Sequence, residues 1–268
     1  MELNKIYNMD CVEGMKMLPD NCIDLTVTSP PYDNLRNYNG FSWDFEATAK
    51  EMYRITKPGG VVVWVVNDKI IDGDESGTRL KQVLYFKEIG FKLNNTMIWK
   101  KTNPMPQHTN ARRYTDAFEF MFVFSKGKPN TFNPLMEKCK TAGKSTDRNK
   151  DSSALRDLGN FKGVWRRNEI TVTKKLKRKT NVWEFATANR NNGHPAVFPE
   201  QLANDHILSW SNPGDTVLDP FMGSGTTAKM AILNNRNYIG FELSSEYCAI
   251  ANARIEEARN EQKQIKFI

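Results

Sequence analysis

An uninterrupted apolar run, Val61-Val62-Val63-Trp64-Val65-Val66, constrains the fold of this 268-residue chain more than any other feature. Valine favours strands, and a strand that is apolar at every position must be covered on both of its faces. A parallel sheet with helices on each side provides that cover. The run is also far too short to span a bilayer, so we expect no membrane association.

Helix and strand patterns alternate on both sides of this run. Strand-like segments are Ile23 to Thr28, Thr96 to Trp99, Ala117 to Phe124, Thr216 to Leu218 and Tyr238 to Phe241; helical spacing surrounds Met15, Met52, the set Leu80, Val83 and Leu84, Leu202, Thr227 to Leu233 and Ile250. This βαβ order predicts an α/β protein with a Rossmann-like, mostly parallel sheet and helices on both faces.

Positive charge is concentrated in one segment. The net charge of the chain is +7, yet residues Lys126 to Val182 contain 16 Lys or Arg and 5 Asp or Glu, and the remainder is net acidic. The segment also lacks regular apolar spacing, which inside a compact domain is typical of a functional insertion. Two interpretations stay open: a solvated basic surface, or a surface that binds a polyanion.

Cysteine and histidine usage gives no sign of a metal site. The chain has 4 cysteines, Cys11, Cys22, Cys139 and Cys248, without a CxxC pair, and its histidines do not fall at metal-ligand spacing. We predict reduced thiols and no bound metal. No cysteine follows a proline, so the Pro-Cys nucleophile required for methylation at a cytosine ring carbon is missing. The first residues lack an apolar stretch, which predicts a cytoplasmic protein.

A glycine-rich turn, Asp219-Pro220-Phe221-Met222-Gly223-Ser224-Gly225-Thr226, joins a strand to a helix. Glycines at 223 and 225 let the backbone approach a nucleotide closely. Glu242 ends the next strand, where its carboxylate can accept both ribose hydroxyls. The turn alone also fits a dinucleotide site or a purely structural turn. Asp219 and Phe221 favour S-adenosyl-L-methionine, whose sulfonium is cationic, over a pyrophosphate, which a carboxylate would repel.

A second motif, Thr28-Ser29-Pro30-Pro31-Tyr32, follows the strand Ile23 to Val27 at the edge where open α/β sheets bind ligands. The prolines fix φ and remove two amide donors, so the Ser29 hydroxyl and nearby carbonyls become rigid acceptors. Acceptors that bind the hydrogens of an exocyclic amine draw its nitrogen towards sp³, which frees the lone pair for attack on a sulfonium methyl. Tyr32 can stack on a flipped base. A polyproline turn or a partner-binding motif is the alternative interpretation.

Together these motifs resemble those of the amino-methyltransferase family of bacterial restriction-modification and phage systems. Thr28 to Tyr32 is similar to the catalytic (D/N/S)PPY motif, and Asp219 to Gly225 to the FxGxG cofactor motif; their order is that of the β group. The resemblance covers nearly the whole chain. It implies a seven-stranded, S-adenosylmethionine-dependent methyltransferase fold, with a catalytic part at 1–125, a target-recognition insert at 126–182 and a cofactor-binding part at 183–268.

The resemblance also implies a set of site residues. The predicted catalytic residues are Ser29, Pro30, Pro31 and Tyr32; the cofactor residues are Asp10, His194, Asp219, Phe221, Gly223, Ser224, Gly225, Thr226 and Glu242; the DNA-binding residues are Arg36, Lys174, Lys175, Lys177, Arg178 and Lys179. For Asp10 a helix cap is the alternative interpretation, and for the segment around His194 it is a helix start.

The implied activity is site-specific methylation of an exocyclic base amine in double-stranded DNA. Ser29 stands where the adenine enzymes of the family usually have Asp or Asn, which favours N4 of cytosine over N6 of adenine. Methylation of RNA or of a protein glutamine is a second hypothesis, and a DNA-binding protein without catalysis is a third. A homodimer and a cognate restriction enzyme are further expectations from the family.

Overall fold

A computed structural model describes residues 1–31, 43–106, 112–143, 145–147, 170–172, 174–187 and 199–265. Three predicted site residues, Tyr32, Arg36 and His194, lie outside the described residues. The chain forms two compact units: the larger comprises Met1–Asn133 and Asn181–Ile268, and the smaller comprises Pro134–Thr180.

The elements that the alternating patterns predict appear in the expected order, together with short strands that these patterns did not predict. The strands are β1 (Lys5–Asn8), β2 (Ile23–Thr28), β3 (Thr56–Val66), β4 (Ile70–Ile71), β5 (Asp74–Glu75), β6 (Lys92–Lys101), β7 (Phe118–Ser125), β8 (Met136–Lys138), β9 (Ser145–Asp147), β10 (Ile170–Val172), β11 (Leu176–Arg178), β12 (Val182–Phe185), β13 (Thr216–Asp219) and β14 (Asn237–Glu242). The helices are α1 (Cys11–Lys16), α2 (Phe45–Ile55), α3 (Thr78–Glu88), α4 (Glu200–Trp210), α5 (Thr226–Leu233) and α6 (Ser245–Ile265).

The larger unit is built on a sheet whose strand order is β1-β14-β13-β2-β3-β7-β6-β12. Its strands run parallel except β7, which pairs antiparallel with both neighbours. The predicted α/β class with a mostly parallel sheet is therefore confirmed. The strand count was expected to be seven; the sheet has eight described strands, because the short β12, next to the basic insert, adds to the edge at β6.

The apolar run in β3 lies at the centre of this sheet. Every residue from Val61 to Val66 is buried, and β3 pairs with β2 on one side and β7 on the other. Helices α1, α2 and α3 pack over one face, where Ile239 and Phe241 of β14 join their core, and α4, α5 and α6 form the second helical layer. The prediction of helical cover on both faces is confirmed.

Helix α3 differs from the prediction in the face that it buries. Val83 and Phe86 point into the core, whereas Leu80 and Leu84, which helped to mark the helix in the sequence, are 57% and 66% exposed. Apolar spacing therefore identified the helix but did not identify its buried face. Among the described residues, no helix is long and apolar enough to cross a membrane.

The smaller unit contains two antiparallel ribbons. Strand β8 pairs with β11, and β9 pairs with β10. Four of the predicted DNA-binding residues, Lys175, Lys177, Arg178 and Lys179, lie on or next to β11, and Lys174 precedes them.

Candidate active site

The topology of the sheet defines a crevice between β13 and β2. Strand β13 leads through α5 to β14 on one side, whereas β2 leads through α2 to β3 on the other. The carboxyl ends of β13 and β2 therefore flank the point where the strand order reverses, which is where open α/β sheets bind ligands. The glycine-rich turn and the Ser29-Pro30-Pro31 segment begin at these two ends, so the fold brings the two sequence motifs together.

The Asp219 carboxylate joins the two motifs. One of its oxygens accepts hydrogen bonds from the Thr28 hydroxyl at 2.6 Å and the Phe221 amide at 3.0 Å; the other accepts from the Thr227 hydroxyl at 2.8 Å. The side chain is buried, and this burial raises its pKa to about 6 against the opposing effect of the hydrogen bonds. Both oxygens therefore face protein donors, and a contact between Asp219 and the cofactor stays a prediction.

The glycines of the cofactor turn are required by the protein itself. Gly223 and Gly225 have φ values of +51° and +81°, a region that favours glycine, and Gly225 caps α5. A Cβ atom on Gly225 would lie 2.9 Å from the Cβ of Ala251 in α6. The turn thus needs glycine for its backbone conformation and for helix packing, in addition to any close approach of a nucleotide.

Glu242 is held in one orientation by two backbone amides. Its Oε2 accepts from the Gly223 amide at 2.8 Å, and its Oε1 accepts from the Ser244 amide at 2.9 Å. Burial raises the pKa of Glu242. Each oxygen keeps a second lone pair, so the carboxylate can still accept the two ribose hydroxyls for which the sequence analysis predicted it.

Arg254 of α6 forms hydrogen bonds with the glycine-rich turn, and the sequence analysis did not predict this role. Its guanidinium donates to the Ser224 carbonyl at 2.6 Å and to the Ser224 hydroxyl at 2.8 Å. Glu200 pairs with both Arg254 and Lys229; burial acts to raise the pKa of Glu200, but these hydrogen bonds outweigh it and lower the pKa. Thr226 is buried at the start of α5, and its hydroxyl lies 3.4 Å from the Arg254 guanidinium. No local pattern links Arg254 to a turn so far away along the chain.

The catalytic segment contains two acceptors, the Ser29 hydroxyl and the Pro30 carbonyl, for which the described residues provide no donor. The Pro31 carbonyl, by contrast, accepts from the indole N–H of Trp43 at 2.8 Å. Trp43, also missed by the sequence analysis, packs edge-on against Phe221 of the cofactor turn, with ring centroids 5.0 Å apart. One aromatic side chain therefore contacts both motifs.

Asp10 caps α1. Its carboxylate accepts from the amides of Val12 at 2.8 Å and Glu13 at 3.1 Å, so the helix-cap interpretation describes what the carboxylate does. The segment nevertheless follows β1, whose Asn8 lies opposite Glu242 in the register and donates to the Glu242 carbonyl. A contact between Asp10 and the cofactor stays a prediction.

A crevice of this kind, with a glycine turn on one side and a proline-fixed segment on the other, is typical of an S-adenosylmethionine-dependent methyltransferase. A family model described as DNA methylase, N6_N4_Mtase, matches residues 23–253, and the chain belongs to this family. It is an S-adenosylmethionine-dependent DNA methyltransferase, and the predictions of family, fold class, enzyme class and cofactor are confirmed.

One relative agrees with this assignment in sequence, and two solved structures agree with the fold. The orphan methyltransferase M.BamHII of Bacillus amyloliquefaciens is 50% identical over 249 residues, which cover 88% of this chain and 90% of that protein. Among solved structures, the cytosine-N4-specific PvuII DNA methyltransferase has a TM-score of 0.66 at 22% identity and covers 96% of this chain and 92% of its own. The M1.HpyAVI complex with S-adenosylmethionine has a TM-score of 0.58 at 24% identity, with 93% and 98% covered.

Proposed function

We propose that this DNA methyltransferase acts at specific sequences in double-stranded DNA and methylates N4 of a cytosine turned out of the duplex, with N6 of adenine as the alternative. The observation that carries the proposal is a pair of acceptors, the Ser29 hydroxyl and the Pro30 carbonyl, which have no donor within the described part of the chain and lie at the crevice beside the cofactor turn. An exocyclic amine has two hydrogens, and two acceptors at a fixed spacing match them.

The residues of the crevice have separate roles in binding the cofactor and in positioning the amine. Bound S-adenosylmethionine supplies an electrophilic methyl group. The Ser29 and Pro30 oxygens accept the amine hydrogens and orient the nitrogen lone pair, and Trp43 keeps the adjoining Pro31 carbonyl in place. Positioning of this kind lowers the barrier because the reacting atoms are already aligned. Glu242 and the turn bind the nucleoside part of the cofactor.

We propose that the transfer is direct, without a covalent link between enzyme and base. Burial raises the pKa of the Cys11 thiol to about 12 and that of the Cys248 thiol to about 11, so neither supplies a thiolate at neutral pH. Burial also raises the pKa of Cys22. The hydrogen bond with Thr141 lowers the pKa of Cys139, so this thiol is the one that mutation must test. Replacing all four with serine is expected to leave the reaction intact if the protein folds.

The test is to express the chain in bacteria that lack DNA methyltransferases, digest the DNA and identify the modified nucleoside by mass spectrometry. N4-methylcytosine is expected, and cells with the empty vector serve as the control. N6-methyladenine would support the alternative. 5-Methylcytosine, or a covalent adduct trapped on 5-fluorocytosine DNA, would overturn the direct mechanism.

The base preference rests on Ser29. The variant Ser29→Asn supplies the amide found in many adenine enzymes of the family, whereas Ser29→Ala removes the side-chain acceptor. If Ser29 sets the preference, Ser29→Asn changes the ratio of methylated cytosine to methylated adenine and Ser29→Ala lowers both. Equal ratios in wild type and Ser29→Asn would contradict this role.

Two partner predictions belong to the same proposal. The family resemblance predicts a homodimer, which light scattering of the purified protein measures directly. It also predicts a cognate restriction enzyme. The similar protein M.BamHII is described as an orphan methyltransferase. Survival of a host that contains the candidate nuclease, with and without this methyltransferase, tests that partner.

A further inference from the structure

A cavity of about 330 Å³ lies at the edge of the sheet formed by the amino ends of β1 and β14. Its lining includes Asn4, which precedes β1, Asn237, the first residue of β14, and Asn235, which follows α5. Because β1 and β14 are parallel, their carboxyl ends lie at the opposite edge, where the crevice is. The 6 residues of β14 separate the cavity from Glu242, so the cavity is distinct from the site described above.

A buried arginine without a carboxylate partner lines this cavity. Arg236 is 8% exposed, and its guanidinium donates to the Ser211 hydroxyl at 3.0 Å, to the Ser211 carbonyl at 2.6 Å and to the Asn234 carbonyl. Burial lowers the pKa of Arg236, against the opposing effect of the Asp215 carboxylate. No Asp or Glu in the described ranges forms an ion pair with it. Buried charges are normally paired, so Arg236 has neutral acceptors but lacks a counter-charge.

The cavity has more hydrogen-bond donors than the protein itself uses. A guanidinium has five N–H groups, and Arg236 and Arg259, which both line the cavity, each donate three hydrogen bonds. Two N–H groups of each arginine therefore have no acceptor in the described part of the chain. The side-chain amide of Asn235 accepts from Gln262 through its oxygen, and its NH₂ group has no acceptor there either. None of the described residues that line the cavity is acidic.

We propose that this cavity binds an oxyanion, the phosphate or carboxylate group of a small molecule. The planar fork of an arginine side chain matches both groups, and an oxyanion offers several lone pairs to N–H donors that lack an acceptor. A bound oxyanion would also supply the counter-charge that Arg236 lacks. The inference goes beyond the proposed function, because it concerns the opposite edge of the sheet and does not depend on which base is methylated.

Calorimetry of the full-length protein tests the proposal directly. Sodium phosphate and, separately, sodium acetate are titrated into the protein at pH 7, with sodium chloride used to keep the ionic strength constant. Saturable binding of at least one of the two is expected. Tighter binding of phosphate would assign the site to phosphate groups, and tighter binding of acetate would assign it to carboxylates. If neither anion binds saturably, the proposal is wrong, and Arg236 serves only to join Ser211 to the end of α5.

Two variants locate the binding in the cavity. Asn235→Asp keeps the oxygen that accepts from Gln262, removes the NH₂ donor and adds a negative charge, so it should weaken binding of the anion about tenfold or more. Arg259→Gln removes a positive charge and should weaken it by a similar factor. The matched control is Asn21→Asp, at an exposed position whose φ of 55° is close to the 60° of Asn235 and which does not line the cavity. It should bind like wild type.

Thermal unfolding of each variant without added anion checks that it is folded, and if Asn235→Asp is unfolded, Arg259→Gln alone makes the comparison with Asn21→Asp. Equal dissociation constants for wild type and the cavity variants would overturn the assignment to this cavity. An equal loss of binding in Asn21→Asp would do the same, because it would show that the anion responds to the net charge of the protein and not to the residues that line the cavity.

Discussion

The two sides of the crevice differ in how many of their oxygen atoms accept hydrogen bonds from other groups of the protein. On the cofactor side, both oxygens of Asp219 and both oxygens of Glu242 accept hydrogen bonds from the protein. On the catalytic side, the described residues leave the Ser29 hydroxyl and the Pro30 carbonyl open. A binding group benefits from being fixed before its ligand arrives, whereas a group that meets the reacting atom must keep its capacity for the transition state.

The sharpest test of this difference is Pro30→Ala. Loosening the acceptor should lower single-turnover methylation by about 10²- to 10³-fold, the range seen when one preorganised transition-state contact is lost, while the cofactor Kd stays near its wild-type value. Pro213→Ala, in a turn at the other end of β13, is the control and should change neither quantity. A cofactor Kd that rises in step with the loss of rate would show that the two sides do not act separately.

The buried carboxylate of Asp219 predicts a pH dependence of stability. Its folded pKa of about 6 lies above its ordinary value of 3.8, so ionising it in the folded state costs free energy. This cost is absent below pH 4, grows as the pH rises to 6 and then stays constant. Asp219→Asn removes it, so the free energy of unfolding of the variant should gain on wild type by up to about 3 kcal/mol between pH 4 and pH 7.

Denaturant unfolding at several pH values measures this gain. Asp72→Asn, at an exposed position, is the control variant. A difference between Asp219→Asn and wild type that does not change with pH would mean that the hydrogen bonds from Thr28 and Thr227 stabilise the ionised carboxylate fully.

Removing the fixed carboxylate on the cofactor side should act on binding. Glu242→Ala is expected to weaken S-adenosylmethionine binding by roughly 10- to 150-fold, which corresponds to about 1.5–3 kcal/mol for charge-assisted hydrogen bonds. Calorimetry with Glu246→Ala, an exposed acid in the first turn of α6, provides the matched control. An unchanged Kd, or tighter binding of NAD than of S-adenosylmethionine, would contradict the assigned role.

The smallest expected effect concerns the side chain that contacts both motifs. Trp43→Phe keeps an aromatic ring against Phe221 but removes the hydrogen bond to the Pro31 carbonyl. Turnover should fall about 2- to 13-fold, the equivalent of about 0.5–1.5 kcal/mol, with little change in cofactor Kd. Trp210→Phe removes an indole N–H that has no acceptor among the described residues and should leave turnover unchanged. Equal rates for wild type and both variants would show that the bond does not position the segment.

The parts of the site that could be predicted from sequence are local in the chain. A few neighbouring residues are enough to explain the β3 run, the glycine turn and the Ser29-Pro30-Pro31 segment. The positions of the turn and of the proline segment at strand ends follow from the parallel topology. The family motifs then supplied the cofactor. A local motif does not reveal partners that are distant in the chain. The hydrogen bond between Asp219 and Thr28, for example, joins residues that are 191 positions apart.

The missed residues act over long sequence distances or through the packing of side chains. Arg254 reaches Ser224 from another helix, and Trp43 reaches Pro31 by a single indole N–H. Leu80 and Leu84 fit a buried helical stripe in the sequence, yet the neighbours of α3 cover a different face. The sequence analysis included Lys177 in a basic DNA-binding set. The register of β8 and β11 places Glu137 directly opposite Lys177.

The position of β13 and β14 between β1 and β2 has a consequence for synthesis of the protein. Asn8 of β1 bonds to Glu242, 234 residues later, so β1 has no strand to pair with until β14 has been made. At about 5–20 residues per second, a ribosome needs roughly 10–50 s to cover that distance. A chain interrupted before β13 leaves β1 and β2 with uncovered edges, which favour aggregation. A chain that ends before β13 is therefore expected to be inactive, because it lacks the glycine turn and Glu242 on the cofactor side of the crevice.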